Sequence, residues 1–189
     1  MPSLDETFDE LEQRLKEPAA LAAARTDPFY YFVYAPDEAL AVKSKIPAWE
    51  ARLRLGGLQV EHVSFADLIW ELVDESGRWE GWLAEETEAD PELVNDSVRD
   101  VLASSDALTR KLAALVDRDR PNSILFLTEV ELLHPYFRVR TFESALHDRV
   151  KIPVVAFYPG RRIDQYGLSF LGFYPEDGNY RAMIVGGQP

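Results

Sequence analysis

The sequence predicts an α/β fold: a three-layer sandwich on a mainly parallel sheet, with a helical insertion and a C-terminal antiparallel strand pair. Three observations predict it. Two runs, Phe29-Tyr30-Tyr31-Phe32-Val33-Tyr34 and Ile152-Pro153-Val154-Val155-Ala156-Phe157, are apolar throughout, as strands covered on both faces are. Between such runs, apolar residues recur at helical spacing. The composition, 47% apolar and 28% charged over 189 residues, is globular. A chain of this length buries roughly 70% of its unfolded surface and needs no metal or disulfide to fold. One α/β domain over residues 1–189 is expected.

In chain order, residues 3–17 read as a helix: Ser3 and Glu6 have capping-box spacing, and Leu4, Phe8, Leu11 and Leu15 form one stripe. The Phe29–Tyr34 run is the first strand. Pro36 opens a helix that continues through Leu40 and Ile46 to Leu53, with Pro47 expected to kink or restart it and Gly56-Gly57 to stop it. Leu58 to Val63 alternates as a second strand, so the pair and its helix predict a parallel βαβ unit. Residues 65–118 form the acidic helical insertion, with Trp70, Trp79 and Trp82, a helix start at Asp90-Pro91, and an interruption at Ser104-Ser105-Asp106. Ile124 to Thr128 is the third strand. Val139, Phe142, Leu146 and Val150 stripe the next helix, and Ile152–Phe157 is the fourth strand. Leu168 to Phe173 and Tyr180 to Val185 read as a hairpin around Pro175-Glu176-Asp177-Gly178.

Charge narrows the function classes. The formal net charge is −13, which excludes a surface that is basic throughout and tracks nucleic acid or anionic lipid. The charge is uneven. Residues 71–100 hold eleven acids and two arginines, a net of −9, whereas Tyr136 onward carries seven bases and five acids, a net of +2. No cysteine is present, which removes disulfides, thiolate metal sites and a cysteine nucleophile. The acidic N-terminus lacks the pattern of a signal peptide, and no apolar run reaches the roughly 20 residues that span a bilayer. A cytoplasmic protein without membrane contact is expected.

Catalytic motifs fare poorly. The stretch after the first strand, Tyr34-Ala35-Pro36-Asp37-Glu38-Ala39, has no glycine or lysine and two acids, so it is no phosphate loop. Ile124 to Glu129 resembles a Walker B strand, which without that loop points only to a degenerate nucleotide-binding fold. Gly167-Leu168-Ser169-Phe170-Leu171-Gly172 misses nucleophile-elbow spacing and has no later histidine. His62 reads as a core-edge residue. Glu143 and His147 stand at i,i+4, a pair more common as a surface hydrogen bond than as metal ligands. No enzyme, cofactor or metal is expected.

The informative surface lies after the third and fourth strands. His134-Pro135-Tyr136-Phe137-Arg138-Val139-Arg140 and Tyr158-Pro159-Gly160-Arg161-Arg162-Ile163-Asp164 leave a parallel sheet at the same edge. Tyr136, Arg138, Arg140, Tyr158, Gly160, Arg161, Arg162 and Asp164, with Arg181, form the candidate binding surface. Such a rim can hold phosphate, a nucleic-acid backbone or carboxylates through guanidinium pairs. Alternatively Arg138 and Arg161 pair internally with Glu129, Asp164 or Asp177. The three tryptophans are interface anchors if exposed and internal fixings if buried.

The C-terminal half resembles the BrxB family, a component of BREX bacteriophage-defence systems. Phe126-Leu127-Thr128, Pro135-Tyr136-Phe137-Arg138, Val154-Val155-Ala156-Phe157-Tyr158-Pro159-Gly160, Leu168-Ser169-Phe170-Leu171-Gly172 and Asn179-Tyr180-Arg181-Ala182 carry the resemblance in order. Leu4 to Leu15, Phe29 to Tyr34 and Val63-Ser64-Phe65 agree more loosely. Phe142-Glu143-Ser144-Ala145-Leu146 departs, since the family tends toward asparagine before that leucine. The resemblance implies a non-catalytic adaptor in an assembly with the PglZ phosphatase-like protein, the BrxC ATPase and the PglX methyltransferase, and it carries over no active site. Two other functions stay open: an accessory that contacts DNA or RNA through the arginine rim, and a degenerate nucleotide binder.

Overall fold

In the computed structural model, residues 3–17, 28–85, 87–118, 120–146, 149–164, 167–176, 178 and 182–187 are described. The first helix, α1 (Leu4–Lys16), begins at the predicted capping box: the Glu6 backbone N–H donates to Ser3 Oγ at 3.3 Å and the Ser3 N–H to Glu6 Oε2 at 2.7 Å. β1 (Phe29–Tyr34) follows, buried at every position. A 3-10 turn over Pro36–Glu38 leads into α2 (Ala39–Leu55), which does not restart at Pro47 but carries it on its exposed face. Gly57, at φ 88°, takes the left-handed stop.

β2 (Gln59–Ser64) is followed by the crossover helices: α3 (Phe65–Ser76), α4 (Trp79–Glu85), α5 (Pro91–Ala103) and α6 (Ala107–Val116). Left-handed Gly77 separates α3 from α4, and a 3-10 turn over Ser104–Asp106 separates α5 from α6. Then come β3 (Ser123–Thr128), α7 (Val139–Leu146), β4 (Val154–Arg162), β5 (Leu168–Phe170) and β6 (Met183–Gly186). Among the described residues, no helix is long and apolar enough to cross a membrane.

The sheet runs β2-β3-β4-β1-β6, all parallel, with β5 antiparallel to the end of β4. The strand period of two divides its side chains between two cores. Tyr30, Phe32, Ile124, Phe126, Val155 and Phe157 meet α1 and α2 on one face. Phe29, Tyr31, Val33, Leu125, Leu127 and Val154 meet the crossover helices and α7 on the other. This is the predicted mainly parallel three-layer sandwich. The acidic span forms most of one helix layer, through Leu68, Leu72, Leu102, Leu108 and Leu112.

Two pairings differ from expectation. β1 and β2 are parallel but not neighbours, because β3 and β4 lie between them. The two most apolar strands, β1 and β4, pair at the centre from Phe29↔Val154 to Tyr34↔Pro159, and the more polar β2 takes an edge. The antiparallel pair is β4 with β5, not a hairpin of the last two strands. Leu171 and Gly172, at φ 53° and 75°, end β5 early, and β6 instead lies parallel along the open edge of β1, where Ile184 and Val185 enter opposite cores.

Candidate functional site

β4 runs past Pro159, its last residue opposite β1, and Gly160, Arg161 and Arg162 pair with β5. Beside it, Glu129 turns the chain out of β3 in a left-handed conformation, φ 59°, and a 3-10 turn over Val130–Leu133 and a cis His134–Pro135 bond lead toward α7. Between these two segments lies a cavity of about 360 Å³ lined in part by Tyr136, Phe137, Arg138, Tyr158, Phe170 and Tyr174. It sits at the carboxyl ends of the parallel strands, where α/β folds take ligands. The rings support one another: Tyr158 lies 5.3 Å from Phe170, and Phe170 5.8 Å from Tyr174. The Tyr174 hydroxyl is hydrogen-bonded to His134 Nδ1.

Three predicted residues, Tyr136, Arg138 and Tyr158, therefore do meet in one cavity. Arg138 is exposed, and Arg161 is exposed near the end of β4. Among the described residues neither guanidinium forms an ion pair. Of the internal partners expected for them, Glu129 binds Lys43, Asp164 accepts the Gly167 N–H at 2.6 Å, and Asp177 lies outside the described residues. Arg162 is held close, its Nε donating to the Asp164 carbonyl at 2.9 Å. Arg140 is half-buried on α7. Gly160 makes room for packing: a Cβ there would stand 2.3 Å from the Ser169 carbonyl oxygen and 2.7 Å from the Tyr158 ring. Arg181 and His147 lie outside the described residues.

At the carboxyl ends of β2 and β3 is a polar lock that sequence reasoning missed. Lys43 Nζ on α2 lies 2.7 Å from Glu129 Oε1 and 3.8 Å from Glu131 Oε1. The Ser64 hydroxyl, while accepting the Ala66 N–H at the start of α3, donates to Glu129 Oε2. The Lys43 ammonium, then Ser64, hold the Glu129 carboxyl below its usual range, and Glu129 in turn raises Lys43. Burial, then the carboxylates of Glu131 and Glu129, push the Tyr34 phenol well up. Glu129 stands where a Walker B carboxylate would, with both oxygens engaged. The turn after β1 is closed by its own acid, since the Ala35 N–H donates to Glu38 Oε2 at 3.1 Å. Lys43 and Glu129 are 86 positions apart, and only the sheet order brings them together.

His62, read as a core-edge residue, bridges three elements. Its Nε2 lies 2.8 Å from Thr128 Oγ1, and its Nδ1 lies 2.9 Å from Glu50 Oε1, a close contact without hydrogen-bond alignment. The order acid, imidazole, hydroxyl is that of a nucleophilic triad. Thr128, however, is 4% exposed and inside the sheet, so its hydroxyl offers no face to a substrate. Glu143 is likewise inside: it accepts the Tyr31 hydroxyl at 3.0 Å and the Ala182 N–H at 3.1 Å. Among the described residues no cluster of histidines and acids can hold a metal ion.

The tryptophans divide. Trp70 is 50% exposed and Trp79 is exposed, whereas Trp82 is half-buried and donates from Nε1 to Ser97 Oγ at 3.0 Å. The Tyr136 hydroxyl donates to Asn95 Oδ1 at 3.3 Å, so one residue links the strand-end cavity to α5.

Comparison with known proteins fits this architecture to a family. The family model described as BREX protein BrxB matches residues 61–185, from β2 through β6. A "BREX protein BrxB" of Bacillus cereus (strain H3081.97) is 28% identical over 156 residues, covering 82% of this chain and 81% of that protein. No solved structure gives a significant match. The family match takes in the third and fourth strands, the segments that follow them and the aromatic cavity between: the chain belongs to the BrxB family of BREX proteins.

Proposed function

We propose that this chain is a non-catalytic adaptor of a BREX-type bacteriophage-defence complex, working in the cytoplasm and binding other defence proteins. Family membership supplies the defence context. The observation that carries the adaptor reading is how the polar groups at the strand ends are used. Glu129, Ser64 and Lys43 satisfy one another, Glu38 closes its own turn, and Glu143 is tied to Tyr31. What faces outward is suited to recognition: an aromatic cavity, Arg138, Arg161 and two exposed indoles. The partners proposed are the PglZ phosphatase-like protein, the BrxC ATPase and the PglX methyltransferase. Purification of the tagged chain from its native operon is expected to recover a PglZ-like or BrxC-like protein. Recovery of the chain alone at low salt overturns the proposal.

A second reading is an accessory contact to DNA or RNA, favoured by Arg138 and Arg161 standing without carboxylate partners among the described residues, the first of them in a cavity lined by aromatic rings. It predicts salt-sensitive binding that weakens in Arg138→Ala and Arg161→Ala. Flat titrations with both nucleic acids overturn it.

A further inference from the structure

The geometry points to a docking groove for a positively charged amphipathic helix of a partner protein, formed by α3, α4 and α5 on the face away from α1 and α2. This inference rests on the adaptor reading and assigns it a surface and a partner chemistry.

The groove encloses about 460 Å³, and its walls include Trp70, Trp79, Trp82, Leu83, Val94 and Val98. Its anchors are fixed before any partner arrives. Trp70 and Trp79 meet edge to face at 5.0 Å, and Trp82 is held by Ser97 from behind while packing on the core. Yet Trp70 is 50% and Leu83 45% exposed. Exposed aromatic and aliphatic side chains held in one cleft are the usual makings of an interface centre. A cleft between helices takes a helix, which enters through residues at i, i+3 or i+4, and i+7.

Charge selects the occupant. The same span has a net of −9 over residues 71–100. Some of its acids are internally compensated: Glu71 and Glu75 share Lys111, and Asp96 pairs with Arg99. Glu80, Glu85, Glu88 and Glu92 are exposed, and among the described residues none forms an ion pair. An apolar cleft flanked by uncompensated carboxylates fits a helix with an apolar stripe and lysines or arginines beside it. A second copy of this chain would set one acidic span against another, and nucleic acid would be repelled.

The test uses the full chain and a synthetic helical peptide of about five turns, leucine at the anchor spacing and lysine elsewhere, with a leucine–glutamate counterpart as control. The indole N–H signals of Trp70, Trp79 and Trp82 are expected to move on titration while that of Trp49, 3% exposed, stays. Trp70→Ser is expected to weaken lysine-peptide binding roughly thirtyfold. Leu83→Ser serves as a second variant, and neither position carries the core. Joint replacement Glu80→Gln, Glu85→Gln and Glu88→Gln is expected to flatten the salt dependence. The inference is overturned by equal binding of the glutamate peptide, by unmoved groove indoles, or by wild-type affinity in both serine variants. Self-association of the chain that Trp70→Ser abolishes also overturns it, since the groove would then belong to a second copy. The adaptor reading fails separately, when the wild-type chain purifies from its operon without any operon-encoded protein, whatever the peptide does.

Discussion

The two helix layers contain the same residue type in opposite circumstances. On the α1–α2 face, Trp49 is stacked on Phe8 at 4.7 Å, lies near Phe32 and Phe157, and donates from Nε1 to Asp5 Oδ1 at 3.3 Å. Charges there are answered within the layer: Lys45 pairs with Asp5, and Arg52 with Asp9 and Glu12. On the crossover face, Trp70 and Trp79 are solvent-exposed among acids that lack enough cations. One layer encloses its tryptophan and matches the charges around it, and the other does neither. A helical stripe of apolar residues is therefore insufficient to tell core from interface, and the charge around the stripe is the better guide.

The largest expected effect tests that contrast directly. Trp49→Ala empties a site packed by three aromatic rings and is expected to destabilise the fold by about 3–5 kcal/mol in chemical denaturation. Trp70→Ala removes an indole that is 50% exposed and whose ring meets Trp79 edge to face, so its expected cost is about 1 kcal/mol. Equal costs would mean that the crossover face is as closed as the other, and the comparison would break.

The strand-end region offers the next effect. Gly160→Ala would place a methyl group 2.3 Å from the Ser169 carbonyl oxygen, so β5 must shift away from β4. Overpacking of this kind costs about 1–3 kcal/mol. The loss should be joined by changed signals from Phe170 and Tyr174, which line the cavity. Unchanged stability together with unchanged aromatic signals would show that β5 does not hold that wall.

Much of this was legible in the sequence, for physical reasons that also mark the limit. The apolar runs at Phe29–Tyr34 and Ile152–Phe157 read as doubly buried strands, the second of which starts two residues later, at Val154, and the caps at Ser3 and Asp90 bond as their spacing requires. The segments carrying Tyr136, Arg138 and Tyr158 meet because parallel strands release their loops at one edge. Strand order was not legible, since local pattern says nothing about which neighbour a strand selects. The Lys43–Glu129–Ser64 lock was hidden with it: three ordinary polar residues on three segments become a unit only when α2, β2 and β3 are assembled. The hairpin expectation failed because β1 offered β6 a longer apolar edge than β5 could.

That lock predicts a pH signature. Lys43, then Ser64, lower the Glu129 carboxyl, so its contribution is complete above the usual carboxylate range and is lost as pH falls through the lowered value. Glu129→Gln is expected to cost about 1 kcal/mol at neutral pH, modest because Lys43 is partly solvated. The gap from wild type should close in acid, where the native carboxyl is protonated too. A gap that stays constant from neutral to strongly acidic pH would show that the lock contributes through packing and not through charge.

The smallest effect sharpens the contrast at one helix end. Asp90 caps α5, its Oδ1 accepting the Glu92 N–H at 2.9 Å, with Pro91 at the first helical position. Because the cap is exposed, Asp90→Ala is expected to cost only about 0.5–1 kcal/mol, seen as a small shift in the denaturation midpoint. Its local consequence is more telling. Pro91, Val94 and Val98 line the groove from α5, so fraying of the first turn should speed amide exchange there and loosen one wall. Capping-box loss through Ser3→Ala on α1 is a matched perturbation on the other layer, and should leave exchange around Trp70 and Trp79 as it was. If both substitutions loosen the groove alike, the two layers are coupled through the sheet, and the crossover face owes its shape to the other one.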